Sequence, residues 1–276
     1  MPIKTIAVVL TDPDTAKIVI DSAICLAQSH EAHLIGLHAE AIDPPPVMSP
    51  FDLPDASVIA TLYEVAAERS KGIEGLFTEL TARAGISSGW RTVRGTSGLA
   101  SHGVVESCRA ADLIVASQPA AGRVGELDDV LFESGRPVLF IPWIARDCKP
   151  FTRILVAWDG SRESTRAIFD STSLLRAAAE VEIFSIDAQD TKSQTAALTG
   201  ADIAATLARR GLVVNINSQE SARLPVAAVI ENRCSDFAAD LLVMGAYSHA
   251  RIRERLFGGV TQTLLESMTI PVLMSR

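Results

Sequence analysis

Residues 240–261 read DLLVMGAYSHARIRERLFGGVT, and the positions of the glycines in this stretch indicate the fold. The first five residues form a short, mostly apolar run that is typical of a buried strand, and Gly245 ends the run. A glycine pair, Gly258 and Gly259, precedes a segment whose apolar residues recur at helical spacing. The stretch therefore predicts a strand, a glycine-bounded loop and a helix, in that order.

This order of elements suits the binding of phosphate. Small residues let backbone N–H groups approach anionic oxygens, and the following helix presents its positive N-terminal end to them. Val260 and Thr261 would add first-turn amides, Thr261 would add a hydroxyl, and arginines in the loop make it locally basic. A plain helix-entry turn is the alternative, since a lone Gly-Gly pair is weak evidence for an anion site.

Length, composition and charge narrow the class of protein. The chain has 276 residues, 48% of them hydrophobic, which is enough for one large or two modest domains with buried cores. The formal net charge of -8 argues against a general binder of nucleic acid or anionic membrane, because neutralising phosphates takes a basic surface. We therefore expect neither nucleic acid nor membrane as a partner.

The cysteines and the first residues indicate a cytoplasmic protein. The 4 cysteines are scattered without a CxxC pair or a Cys/His ligand spacing, so we expect reduced thiols and no zinc site. The apolar run that opens the chain is too short for a signal peptide. No other apolar run reaches the ~18 residues that a membrane span needs.

Before residue 150, short apolar runs alternate with helical periods. We predict strands at 4–10, 32–37, 89–94, 111–116 and 137–142, with helices over 14–29, 56–84 and 99–109. The third of these strands has a weak pattern. The proline-rich segment 43–54 is interpreted as a covering loop, because proline excludes regular helix and central strand.

The same pattern then starts again. TRILVAWDG at 152–160 aligns with KTIAVVLTD at 4–12, ADLLV at 239–243 with ADLIV at 111–115, and IPVL at 270–273 with RPVL at 136–139. The chain is interpreted as an internal duplication with domains at 1–148 and 149–276. Strands alternating with helices in each copy predict an α/β fold of two tandem doubly wound parallel-sheet domains.

These residues resemble the universal stress protein family in its tandem form, over essentially the whole chain. The signature of that family is Gly-x-x-Gly-x9-Gly followed by serine or threonine, starting at the end of the fourth strand. Gly245 and Gly258 match it, and the nine residues at 249–257 keep its spacing. Ser248 stands where the family has a second glycine, and Gly259 where it has the hydroxyl residue.

The resemblance implies a Rossmann-like fold of the adenine-nucleotide alpha-hydrolase type that binds ATP, with or without Mg²⁺. An aspartate that ends the first strand would face the nucleoside, and Asp159 holds that position. The end of the second strand, at Ile186, would contact the purine. The predicted cofactor-binding residues are Asp159, Ile186, Gly245, Tyr247, Ser248, His249, Gly258, Gly259, Val260 and Thr261, with no catalytic residue and no metal ligand.

The first copy departs from this pattern. Thr11 takes the place of the aspartate, Ser117 takes that of Gly245, and the loop after Ser117 is shorter and carries carboxylates that would repel a polyphosphate. We therefore expect a degenerate N-terminal site without nucleotide. The resemblance also implies that the two copies pack as an intrachain pseudo-dimer through their fifth strands, and it leaves a further homodimer open.

Two functions from different classes follow from the sequence. The first is a cytoplasmic, ATP-binding stress-response regulator whose nucleotide lies in the C-terminal domain. The alternative is an interaction or dimerisation protein of the same fold that binds no nucleotide, and Ser248 and Gly259 keep it open. An enzyme is disfavoured, because no general base is visible for more than a slow ATPase activity.

Overall fold

A computed structural model of the chain describes residues 2–43, 56–120, 126–145, 149–187, 200–247 and 259–276. The predicted loop at 43–54 lies outside these ranges except for its first residue. Ser248, His249 and Gly258 of the predicted site also lie outside the described residues.

The N-terminal half alternates strands and helices. In chain order its elements are β1 (Thr5–Val9), α1 (Pro13–His30), β2 (His33–Ala41), α2 (Ala56–Ala84), β3 (Ser88–Gly95), α3 (Ser97–Cys108), β4 (Leu113–Ser117), α4 (Glu126–Glu133) and β5 (Val138–Ile141).

The C-terminal half follows the same alternation, with one additional short helix. Its elements are β6 (Arg153–Ala157), α5 (Arg162–Asp170), α6 (Thr172–Ala177), β7 (Glu180–Ile186), α7 (Ala201–Ala208), β8 (Val214–Gln219), α8 (Val226–Phe237), β9 (Leu241–Gly245), α9 (Gly259–Ser267) and β10 (Val272–Ser275).

All of these strands belong to one sheet, in the order β3-β2-β1-β4-β5-β10-β9-β6-β7-β8. Each half contributes the same strand order, and neighbours within a half run parallel. The halves meet where β5 and β10 pair antiparallel, with Phe140 opposite Val272. The predicted doubly wound α/β fold is therefore confirmed, as is the pairing of the fifth strands.

The strands are apolar on both faces because helices cover the sheet on both sides. Ile6 and Val8 of β1 face a layer built from α1, α2, α5, α6 and α7. Ala7 and Val9 face the opposite layer, built from α3, α4, α8 and α9. Alternate residues of a strand thus enter different cores, which is why the sequence shows continuous apolar runs.

One carboxylate in each half aligns the strands that carry the site. Asp112 accepts hydrogen bonds from the backbone N–H of Lys4 and Thr5, at 2.8 and 3.0 Å. Asp240 accepts equivalent bonds from Thr152 and Arg153, at 2.7 and 3.0 Å. Because these contacts tie the amino ends of the first and fourth strands of each half, they set the register in which the carboxyl ends meet.

The predicted second strand is too short, since β2 continues to Ala41. Its last residues pair with β3, with Glu40 opposite Arg94. The Arg94 Nε donates to Glu40 Oε1 at 3.1 Å, and Glu40 is buried. The charges of Glu40 and Arg94 suggest a loop in the sequence, but their ion pair allows both residues to lie in strands. In the part of the chain that the structure describes, no helix is long and apolar enough to cross a membrane.

Candidate functional site

The candidate site lies at the carboxyl ends of β6 and β9, which are neighbours with Ala157 opposite Met244. The strand order reverses between these two strands, and in doubly wound sheets the crevice at such a point is where ligands bind. Asp159 follows β6 and Gly245 ends β9, so both lie at the same edge of the sheet. The predicted convergence of these two distant residues is present in the structure.

Asp159 forms the turn that starts α5. Its Oδ1 accepts from the backbone N–H of Ser161 at 3.0 Å, and Gly160 between them has a left-handed φ of 74°. Ser161 is the N-cap of α5, and its side chain accepts from the N–H of Ser164 at 3.1 Å. Asp159 is exposed, so this turn-forming role is compatible with a carboxylate that faces the crevice.

Gly245 is needed for packing. A Cβ added there would lie 2.4 Å from the backbone N of Ser164 and 2.6 Å from the carbonyl carbon of Glu163. The first turn of α5 therefore lies directly against the end of β9. From the sequence alone we predicted only a role in ligand approach for Gly245. The packing role could not be predicted, because Ser164 lies far away in the chain.

The start of α9 has no close neighbour among the described residues. A Cβ added to Gly259 would meet none of their atoms within 4 Å. Thr261 is 3% exposed, and its hydroxyl accepts from the backbone N–H of Tyr247 at 3.3 Å. The hydroxyl thus ties the start of α9 to the end of β9, while the half-buried Val260 packs into the adjacent core.

Tyr247 links the site to the N-terminal half. It has a left-handed φ of 56°, and its ring lies 4.5 Å from the ring of Phe132 in α4. Burial raises the pKa of the Tyr247 phenol to about 12, the charge of Asp128 raises it further, and that of Arg276 opposes the shift. The sequence did not predict this contact, which depends on how the two halves meet.

The end of β7 forms the far side of the crevice. Ile186 is the last residue of β7 and packs partly buried against the second core layer. Asp187 follows with a left-handed φ of 51°, and its Oδ1 accepts from the N–H of Ser221 at 2.7 Å. That backbone hydrogen bond lowers the pKa of the Asp187 carboxyl. The loop after β8 is thereby fixed next to the predicted purine contact.

Buried polar atoms without a hydrogen-bond partner concentrate at this edge. Buried polar groups are normally paired, so each exception requires an explanation. Over the described ranges the unpaired atoms are Trp158 Nε1, Ser185 Oγ, Ser275 Oγ, Glu40 Oε2 and Arg153 Nε. The first three belong to residues at or just beyond the carboxyl ends of β6, β7 and β10.

The corresponding edge of the N-terminal half is filled mainly by its own side chains, and Glu40 Oε2 near the end of β2 is its one buried side-chain polar atom without a partner among the described residues. His38 stands where Ser185 stands in the other half, and its Nδ1 lies 2.6 Å from the carbonyl oxygen of Leu10. The Arg69 guanidinium donates to the carbonyl oxygen of Thr11 at 2.7 Å and lies 3.7 Å from the Asp12 carboxylate. Burial lowers the pKa of His38, and the Arg69 charge acts in the same direction.

The described residues contain no group of three or more His, Cys, Asp or Glu side chains placed to hold a metal ion. The sheet topology makes the chain a doubly wound α/β protein. The crevice between β6 and β9 is its candidate ligand site, in the C-terminal half.

Comparison with known proteins finds matches to one protein family. Residues 150–276 match the family model described as Universal stress protein family. The chain is 28% identical over 166 residues to a universal stress protein of Synechocystis sp., and the alignment covers 57% of this chain and 53% of the relative. It thus spans about half the length, 53%, of that curated relative. Residues 150–276, the C-terminal half of the chain, therefore belong to the universal stress protein family.

Two solved structures share the fold over nearly the whole chain. A universal stress protein from Archaeoglobus fulgidus superposes with a TM-score of 0.71 at 15% identity, covering 98% of this chain and 96% of that one. A functionally unknown protein from Pseudomonas aeruginosa superposes with a TM-score of 0.58 at 18% identity, covering 99% and 92%. At these identities the likeness concerns the fold alone.

Proposed function

We propose that this chain is a cytoplasmic stress-response regulator that binds ATP in its C-terminal domain, 149–276, and no nucleotide in its N-terminal domain, 1–148. The phosphates would lie at the start of α9, the ribose near Asp159 and the base toward the end of β7. The proposal includes no catalytic step. Mg²⁺ is treated as a variable of the binding experiment.

The difference between the two carboxyl edges carries the proposal. In the C-terminal half, Trp158 Nε1, Ser185 Oγ and Ser275 Oγ are buried without a partner among the described residues. In the N-terminal half, the His38 ring hydrogen-bonds to the carbonyl oxygen of Leu10, and Arg69 donates to that of Thr11. An unpaired buried polar group costs free energy that a polar ligand recovers. Over the described residues the C-terminal edge has three such atoms and the N-terminal edge has one, Glu40 Oε2, so the C-terminal edge is the better ligand site.

The start of α9 supports the phosphate end of the proposal. The N-terminus of a helix carries unsatisfied backbone N–H groups and a partial positive charge, which together favour an anion. No atom of the described residues lies within 4 Å of a Cβ added to Gly259, which is consistent with a ligand at that N-terminus. Asp159 supports the ribose end, because an exposed carboxylate accepts hydrogen bonds from ribose hydroxyls.

The experiment is calorimetric titration of the purified chain with ATP, with and without Mg²⁺, on the parent and on Gly259→Asp. The substitution meets no steric conflict with the described residues, none of which has an atom within 4 Å of the new Cβ. A carboxylate in the first turn of a helix also stabilises the helix, so we expect an unchanged or higher Tm together with loss of ATP binding.

Thr263→Asp is the matched control. It adds the same charge to an exposed position of α9 further from the helix start, and we expect it to retain most of the ATP affinity. Absence of ATP binding by the parent protein would refute the proposed function.

A second candidate is an interaction protein of the same fold that binds no nucleotide. Two observations favour it: Gly245 is required by the packing of α5, and Tyr247 is engaged with Phe132 of the other half. Parts of the family signature thus have structural roles without any ligand. The same titration separates the two candidates, because only the first predicts saturable ATP binding.

A further inference from the structure

The chain has 3 tryptophans, and they differ in what their indole N–H groups contact. The Nε1 of Trp90 donates to Thr92 Oγ1 at 2.9 Å, and that of Trp143 donates to the carbonyl oxygen of Gln118 at 2.9 Å. The Nε1 of Trp158 is buried without a partner among the described residues. An indole nitrogen can only donate, so Trp158 lacks an acceptor.

Ser185 lies beside Trp158 on the neighbouring strand. The backbone N–H of Trp158 donates to the carbonyl oxygen of Phe184 at 2.8 Å, which continues the pairing of β6 with β7 to Ser185. Ser185 is 2% exposed, and its Oγ also has no partner in the described part of the chain. Two unpaired polar groups are therefore adjacent on paired strands.

Both side chains belong to the same face of the sheet. A Cβ added to Gly200 would lie 2.7 Å from Ile183 Cγ2 and 3.6 Å from Trp158 Cδ1, so the residue before α7 covers both. Ser185 shares the face of Ile183 because side chains alternate along a strand. Trp158 therefore lies beside the start of α7, and Ser185 lies on the same face near the carboxyl end of the neighbouring strand.

The strand order gives this pair its place relative to the rest of the proposed site. β9, β6 and β7 are consecutive in the sheet. Neighbouring strands lie about 4.8 Å apart, so β7 is roughly 10 Å from β9. With phosphates at the start of α9 beside β9 and ribose at Asp159 after β6, the base would lie over β7. Among the described residues near that end, Trp158 and Ser185 are the ones with buried side-chain polar atoms that lack a partner.

We propose that Trp158 Nε1 and Ser185 Oγ hydrogen-bond to the base of the bound nucleotide and select for adenine's amine-bearing edge. This inference rests on the proposed function. The indole N–H would donate to a ring nitrogen, and the serine hydroxyl would accept from the neighbouring exocyclic amine. Adenine presents such an acceptor beside its N6 amine, N7 being one example.

The test uses Trp158→Phe, which removes the N–H and keeps a ring, and Ser185→Ala, which removes only the hydroxyl. We expect ATP to bind about fivefold to tenfold more weakly to each variant, as for loss of one hydrogen bond. We also expect Ser185→Ala to be no less stable than the parent in the free state, because it loses only an unpaired buried polar atom. Trp158→Phe also loses packing of the ring against the core, so its Tm does not report on the hydrogen bond. Trp90→Phe is the control: it removes a paired N–H, and should lower Tm without changing ATP affinity.

A second probe examines the amine directly. Purine riboside triphosphate lacks the exocyclic amine, so the parent should bind it more weakly than ATP, and Ser185→Ala should lose most of that preference. If the parent binds ATP and neither variant weakens binding, this inference is wrong and the proposed function stands. If the parent binds no ATP, both are wrong.

Discussion

The ring of Tyr247, just after β9, packs on the ring of Phe132 in α4, with centroids 4.5 Å apart and planes inclined by 31°. The guanidinium of Arg276 lies 4.3 Å from the centroid of the same Phe132 ring. A side chain of the N-terminal half is thus held between two residues of the C-terminal half, one of which begins the loop of the candidate site. The half without a proposed ligand therefore supports the half with one.

This relationship predicts that Phe132 stabilises the protein from outside the site. Aromatic pairs and cation–π contacts each contribute about 0.5–1.5 kcal/mol, so Phe132→Leu should lower the free energy of unfolding by about 1–2 kcal/mol. Phe169→Leu is the control, because Phe169 has Arg210 at 4.9 Å and is 38% exposed. Equal losses in urea denaturation for the two variants would show that the contact with Tyr247 adds nothing.

The raised pKa of Tyr247 predicts a loss of stability at alkaline pH. Because its pKa of about 12 in the folded protein exceeds the ordinary value of 10.0, the folded state retains the phenolic proton at pH values where the unfolded state releases it. The associated stability is present below pH 10 and is lost as the pH rises toward 12.

Tyr247→Phe should therefore flatten the decline in Tm between about pH 10 and pH 12, and change Tm little at pH 7. The comparison is made by calorimetry over that range. Tyr63→Phe serves as the matched control, since Tyr63 is 56% exposed on α2. The prediction fails if the decline for Tyr247→Phe has the same slope as that for the parent.

Gly245 should be intolerant of even one methyl group. In Gly245→Ala the new Cβ would lie 2.4 Å from the backbone of Ser164, so α5 or β9 must move. Overpacking of this kind costs about 1–3 kcal/mol, measured as the free energy of unfolding. Gly259→Ala makes the same chemical change at a position with no described atom within 4 Å of the new Cβ, and it should stay within about 0.5 kcal/mol of the parent. A Gly245→Ala variant as stable as Gly259→Ala would contradict the packing role.

How much the sequence predicted depends on how far apart the interacting residues are. The α2 helix was predicted over 56–84, with the bounds that the structure has, because helical periodicity is a local signal. The match of Ile154 to Ile6 revealed the repeat, and with it the strand order around Asp159. Trp158 and Ser185 become neighbours, and Tyr247 packs on Phe132, only when distant segments of the chain meet. No spacing in the sequence predicts these two contacts.

The buried ion pair of Glu182 and Arg233 provides the last prediction. Glu182 lies in the middle of β7, its side chain is 6% exposed, and its two oxygens accept from Arg233 Nε and Nη2 at 2.7 and 2.6 Å. Removing one partner leaves an uncompensated charge, so Glu182→Ala should lower the free energy of unfolding by about 3–5 kcal/mol. The double variant Glu182→Leu with Arg233→Met should recover most of that loss, because apolar replacement of a buried pair is often neutral.

The control is an exposed ion pair. Asp21→Ala breaks the exposed pair with Lys17 and should cost less than about 1 kcal/mol. Denaturant titrations of the three variants check the order, and a double variant no more stable than Glu182→Ala would show that the loss comes from packing and not from the stranded charge.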